Sequence, residues 1–472
     1  MREAGRKGDL AAGSRLVPRG RSTAPSRERD HPLRRFTADV AATLPGPSWL
    51  RARREAAAER FADLDLPTEA EEVWRYSRIG AFDLEAYSPA IDADDASLGT
   101  PADGALPEVL EPVVEASGPC AALVLVRNGR LARVDVEPAA AAKGLQVVDV
   151  ADLDDGDDLL GHLASGGRDA FGELNAAFVR GATVVRVPSG MEVEGSVVVV
   201  QWVDGDGLAV FPRTVVDAGP NSGVTVVEHV ASTDVAAFVD PVLELNLADA
   251  ARVRYANVQD LGPRVWHVGY QVSDVGRDAT LRSSAVALGG DYARVRTDSR
   301  ISGQGGTSYL TAAYFADGER MHDFRTLQDH AAPSSTSDLL FKGAVQDRGR
   351  SVYSGLIRVG KVARGTNAFQ TNRNLVLSEG AGAESVPNLE IETDDVRCSH
   401  ASAVGPIDED QRYYLESRGV PSDVAEQLIV LGFLAEVLDR LPTETLVRRV
   451  RAAIAARLRG ENAAVGLAAK AP

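Results

Sequence analysis

The chain has 472 residues, a formal net charge of −17 and two cysteines, Cys120 and Cys398. That length can bury a sizeable core in about two to four structural units, and so acidic a surface repels nucleic acid and anionic membranes. Two cysteines exclude a disulfide framework, no apolar run reaches the ~18 to 20 residues of a membrane span, and no secretory signal is evident. A reducing cytoplasm is the expected compartment.

Residues 1–35 are rich in Arg, Gly, Ser and Pro and poor in large apolar side chains, so this leader is expected to lack fixed structure. From Phe36 to about Glu85 the pattern is helical. Trp49, Leu50, Ala56 and Phe61 recur near helical spacing, and Pro67-Thr68 opens a second segment through Trp74 and Tyr76, with Thr68 and Glu71 at capping-box spacing. Trp74, Tyr76 and Phe82 are expected as core or docking contacts rather than a ligand stack. Residues 90–165 read as a small α/β region with strands at Ala121 to Val126 and Leu145 to Val150. Cys120, with no His or second Cys nearby, reads as a buried structural thiol. The acidic run Asp152 to Asp158 lacks EF-hand spacing and reads as a solvated loop.

Phe171 to Phe178 is a short helix, and from Thr183 to about Ser399 a different regime takes over. Short Val, Ile, Thr and Tyr runs recur at spacings of roughly 8 to 14 residues, each cut by Gly, Asp, Asn or Ser. No helical period interrupts them, which excludes alternating βαβ units and leaves a sandwich, a barrel or a solenoid. Length and the imperfect repeat suit a solenoid, while the pattern alone keeps a sandwich pair open. After Pro406 the pattern is helical again. Asp408 caps a helix through Tyr413, Tyr414 and Leu415, which Gly419 ends. Ser422 caps a second helix with Val424, Leu428, Leu431, Leu434 and Leu438 on one face, and Thr443 caps a third with Leu446, Val450, Ile454 and Leu458. These apolar faces need a cover, either the β unit or a partner's groove.

Few stretches carry chemistry. Gly355 to Lys361 matches a P-loop up to its lysine, but Val362 stands where a hydroxyl is needed and the surroundings are strand-like, so it cannot cradle phosphate. Gly303-Gln304-Gly305-Gly306 reads as a turn. No GxSxG, HExxH or CxxC motif is present, and the chain reads as non-enzymatic. His229, His267, His322 and His330 read as satisfied histidines, since Asp323 points to the opposite strand face from His322. Cys398 and His400 are the candidate metal ligands, because residues two apart share a strand face roughly 6 to 7 Å apart. A tetrahedral iron or zinc site needs about four ligands, so the others must come from distant residues, inorganic sulfide or a second polypeptide.

The stretch RCSHASAVGPIDEDQRYYLESRGV, Arg397 to Val420, resembles the signature of the SUF iron–sulfur assembly scaffold family (SufB/SufD) in its SufD-type branch. EVWRY at Glu72 to Tyr76, LNAAF at Leu174 to Phe178, VPSG at Val187 to Gly190 and TNRNL at Thr371 to Leu375 support it. Ala401-Ser402-Ala403 replaces a common Gly-Ala-Thr. The resemblance implies a mainly β protein: a right-handed parallel β-helix core over 171–405, between an N-terminal α/β helical region at 36–170 and a C-terminal helical domain at 406–472. It implies a non-catalytic scaffold that pairs with a SufB-type β-helix subunit and docks a SufC-type ABC ATPase through its C-terminal helices, with Tyr413, Tyr414, Leu428, Leu431 and Leu434 as contacts. ATP would be reached only through that partner. His400, with Cys398, would contribute to a transient iron–sulfur cluster site completed by the partner. A homodimeric form of the same protein is one alternative. A secreted-type β-helix enzyme acting on polysaccharide is the other, and it would need paired acids on an exposed sheet face that are not evident.

Overall fold

Short β-branched runs separated by tight corners bury their apolar residues by stacking coil on coil, and the computed structural model shows this arrangement. It describes residues 35–91, 106–164 and 169–461, so the basic leader lies outside them. Successive strands alternate between two sheets, one of 12 and one of 10 strands. Thr336–Val345 lies parallel between Thr307–Ala316 and Thr366–Val376 in one sheet, and Arg350–Val359 lies parallel between Met321–His330 and Gly382–Ile391 in the other. This is a parallel β-helix. A sandwich is excluded, since among the described residues antiparallel pairing occurs only near the N-terminal end, between Cys120–Arg127 and Arg130–Val136 and between Gln146–Asp149 and Thr183–Val187.

The coils turn at a repeated corner. Asn221, Ala250, Asp278, Gly305, Ser334 and Gly365 all have positive φ. From Asn221 onward, each donates its backbone N–H to the carbonyl of the residue preceding the next corner, giving bonds of 2.7 to 3.2 Å from Asn221→Asp249 to Ser334→Arg364. Only two of the six are glycine. The ladder of corner hydrogen bonds offsets the cost of holding Ala250 and Ser334 in a conformation that L-residues avoid.

The N-terminal region departs from expectation after Pro67. Helices form at Ala38–Ala42 and Ser48–Ala62, but the second helical segment is replaced by 3-10 turns at Glu72–Trp74, Ile79–Ala81 and Leu84–Ala86. Half the capping box exists, Thr68 donating its N–H to Glu71 Oε1 at 2.9 Å. The helix fails because the β-helix takes its carbonyls: Arg294 bonds the Val73 carbonyl and Arg325 that of Arg75, each at 2.7 Å. Trp74 is buried beneath the Arg294 guanidinium, 3.7 Å from its ring centre, and Phe82 packs among Phe171, Phe238 and Trp266. Tyr76, with φ of 66°, is exposed instead. Cys120 is a second correction. It is exposed, because an irregularity between Cys120 and Ala122 at the start of the strand turns it outward, where its thiol donates to the Ala122 carbonyl at 3.0 Å. The acidic run forms two short turns, with Asp155 paired to Arg186 and Asp157 to Arg53.

Three helices follow the last strand, at Glu409–Ser417, Ser422–Leu438 and Glu444–Leu458. Asp408 caps the first, accepting from the Asp410 N–H at 2.9 Å. Ser422 is not the cap of the second: Pro421 holds that position and offers no side-chain bond. The apolar faces of the last two helices are covered by the β-helix, Val430, Leu434, Val437 and Ile454 sharing a core with Val258, Val286 and Phe315 on the outer face of the 10-stranded sheet. Arg457 reinforces the contact through buried pairs with Asp260 and Asp317. Thr443 fastens the third helix, its Oγ1 accepting from Leu446 N at 3.1 Å and donating to the Ala116 carbonyl at 2.6 Å. Thr443→Ala is therefore expected to cost about 1 to 2 kcal/mol, read as a lower urea midpoint at unchanged slope.

Candidate functional site

The strand carrying Cys398 and His400, Val396–Gly405, is the last of its sheet and pairs only with Thr366–Val376. Register decides where its side chains point. Cys398, His400 and Ser402 lie opposite Ala368, Gln370 and Asn372, all three buried inside the β-helix. The same alternation places Cys398, His400 and Ser402 on the inner face of the final coil. Among the described residues no further coil covers them.

Cys398 is half-buried and packs with Val396 and Leu389 against Ile357 and Val359. Burial pushes its thiol up, against a partly opposing hydrogen bond from the Ala368 backbone, so it is protonated near neutral pH and must lose that proton to bind a metal. His400 is exposed. The Gln370 amide beneath it is buried, with no protein hydrogen-bond partner at either end. One thiol and one imidazole are half a metal site, and among the described residues no three His, Cys, Asp or Glu side chains gather to hold a metal.

The surroundings share this incompleteness. Gly382–Ile391 and Val396–Gly405 each expose a free edge of backbone donors and acceptors, and Ile391 and Val404 expose apolar surface. Unpaired edges and uncovered inner-face side chains are what a further layer of strands would satisfy.

Residues 201–433 match the family described as "SUF system FeS cluster assembly, SufBD core domain". A SufBD family iron–sulfur cluster assembly protein of Mycobacterium tuberculosis is 36% identical over 294 residues, covering 60% of this chain and 72% of the relative. The chain belongs to the SufBD family. The SufD proteins of Escherichia coli and Bacillus subtilis are similar to this SufBD chain at 34% and 31% identity, over 52% and 59% of it and 58% and 64% of their own lengths. It is thus a SUF-system iron–sulfur assembly protein of SufD type.

The remaining candidate residues of this SufBD chain lie elsewhere on the β-helix and its C-terminal helices. Tyr413, Tyr414 and Leu428 are 73%, 57% and 51% exposed on the C-terminal helices, whereas Leu434 is fully buried against the β-helix and Leu431 is half-buried in the same core. Leu434 is a core residue rather than a surface contact, because the outer sheet face supplies its cover. The P-loop-like glycines lie within the strand Arg350–Val359 and just beyond it, and Gly303 to Gly306 form a turn. His229, His267, His322 and His330 are all buried. His330 is held by Ser335 and Ser337 at 2.7 and 2.8 Å, and Asp323 turns away from His322 to bond Arg294, Arg325 and Tyr292. Sequence reading missed Gln370, whose place under His400 needs the register of two strands 30 residues apart. No helix among the described residues is long and apolar enough to cross a membrane.

Proposed function

We propose that this SufD-type chain is a non-catalytic cytoplasmic scaffold subunit, which joins a SufB-type β-helix subunit at its open end and a SufC-type ABC ATPase through its C-terminal helices. One observation carries the reading. A thiol and an imidazole share the inner face of the last coil, at an unpaired edge, without enough local ligands to finish a site. A partner continuing the coil would bring the missing ligands, and the nascent iron–sulfur cluster would be cargo held between the two chains, with His400 a ligand and Cys398 a second. ATP enters only through the partner ATPase.

Tyr413, Tyr414 and Leu428 supply the ATPase contact: Leu428 is exposed on a helix whose opposite face is anchored to the β-helix, and Tyr413 and Tyr414 are exposed on the preceding helix, which buries none of its residues. Tagged protein purified from its native cytoplasm is expected to retain both an ABC-type ATPase and a second β-helix subunit. Recovery of neither would sink the scaffold reading. The triple variant Y413S/Y414S/L428S is expected to lose the ATPase and keep the β-helix subunit, since the two surfaces lie on different elements.

A further inference from the structure

The acidic edge strand Gly382–Ile391 carries information about which chain can pair with it. On the outer face of its sheet, one column alternates in charge from coil to coil: Asp274, Arg300, Asp329, Arg358 and Glu390 stand in register on five successive strands. Arg358 is committed inward along this ladder, gripping Asp329 through Nε at 3.0 Å and Nη2 at 2.9 Å. Glu390 is the last rung. It is exposed and only shares the charge of Arg358, whose hydrogen bonds go to Asp329, while Glu384, on the same face of the same strand, makes no ion pair among the described residues.

The edge strand has no base of its own. No Lys or Arg occurs between Arg373 and Arg397, while Glu379, Glu384, Glu390, Glu392, Asp394 and Asp395 do. An antiparallel pairing of this strand with its own copy therefore offers no cation to either carboxylate in any register, and the register that places Glu384 against Glu390 sets like charges directly opposite, which destabilises a strand pair. Pairing with the Val396–Gly405 strand of a second copy offers only Arg397, so at least one carboxylate stays unanswered.

Resting on the open-end reading above, we infer that this edge selects a different chain, one whose terminal strand presents Lys or Arg opposite both Glu384 and Glu390, and disfavours a second copy of this chain. The charges act on specificity: apart from Pro387, which has no N–H to offer the free edge, the backbone hydrogen bonds of an added strand are available to any partner, and the two carboxylates discriminate among them.

The test uses the full chain, its E384Q/E390Q variant and the purified SufB-type subunit from the same source. Both substitutions are on exposed side chains that make no hydrogen bond among the described residues, and circular dichroism checks that the fold is kept. The variant is expected to bind the SufB-type subunit on the order of tenfold more weakly at low salt, to lose the salt dependence of that affinity, and to self-associate more readily than the parent in sedimentation. Hydrogen exchange over 382–405 on mixing separates two kinds of failure. Protection of these strands with unchanged affinity and salt dependence would overturn the charge inference alone. An absence of protection would overturn the open-end reading together with it.

Discussion

Lowering the pH from 7 to 5 is expected to remove a large part of the folding stability, because four histidines are locked away neutral. His229, His267, His322 and His330 are at most 4% exposed. Burial lowers His229 and His322 to about 3 and His267 and His330 to about 4, from an ordinary 6.5. Below pH 6.5 the unfolded chain takes up protons that the folded chain refuses until those lower values are reached. The stability they confer is therefore complete above pH 6.5 and falls as pH drops, by about 1.4 kcal/mol per pH unit for each histidine. Asp240 works in the opposite direction: burial, with the nearby Asp169 charge, raises its carboxyl, so the folded state gains a proton there. Burial raises Asp149 and Asp338 in the same sense, so the carboxyls oppose part of the loss, and the four histidines leave a net fall in stability between pH 6.5 and pH 5. Urea unfolding at pH 7, 6 and 5 measures it. His322→Gln is expected to flatten the slope by about one proton, and a flat parent profile would mean that the native state protonates these imidazoles without opening.

These histidines also show what was legible beforehand. Alternation along a strand was enough to separate His322 from Asp323, and the structure gives that carboxylate to Arg294, Arg325 and Tyr292. The run of short strands and the three C-terminal helices follow from period and punctuation, while the choice of a β-helix over a sandwich pair needs the family resemblance. The corners were harder, because Ala250 and Ser334 are held left-handed by hydrogen bonds from neighbouring coils and not by any preference of their own. The lost helix after Pro67 has the same cause. Its carbonyls at 73 and 75 bond arginines 221 and 250 positions away, a competition no local window contains. Leu434 and Leu428 are both leucines of one helix, yet one is in the core and the other in solvent, because they stand six residues and so about 120° apart and the outer sheet face covers only the stripe with Val430, Leu434 and Val437. For the site, the spacing of Cys398 and His400 placed them on one face but left open which one. The buried partners Ala368 and Gln370 identify it as the inner face, and the end of the coil leaves it accessible.

That placement separates the contributions of the two residues. His400→Ala is expected to lower cluster yield on the reconstituted assembly by at least tenfold, as loss of a direct ligand should match or exceed the 10- to 100-fold that outer-shell partners are worth. It should do so without touching the fold, because His400 is exposed and substitutions at such positions stay within about 0.5 kcal/mol. Cys398→Ala differs in kind. Its thiol fills a half-buried place beside Val396 and Leu389 and must shed a proton that burial holds on, so its share in binding should grow with pH. Anaerobic reconstitution of the full assembly with each variant, followed by absorption spectroscopy between pH 7 and 9, reads both effects. Equal yield from the His400 variant would remove that residue from the site. A pH-independent loss in the Cys398 variant would assign the thiol a packing role, leaving the partner chain to supply every sulfur ligand.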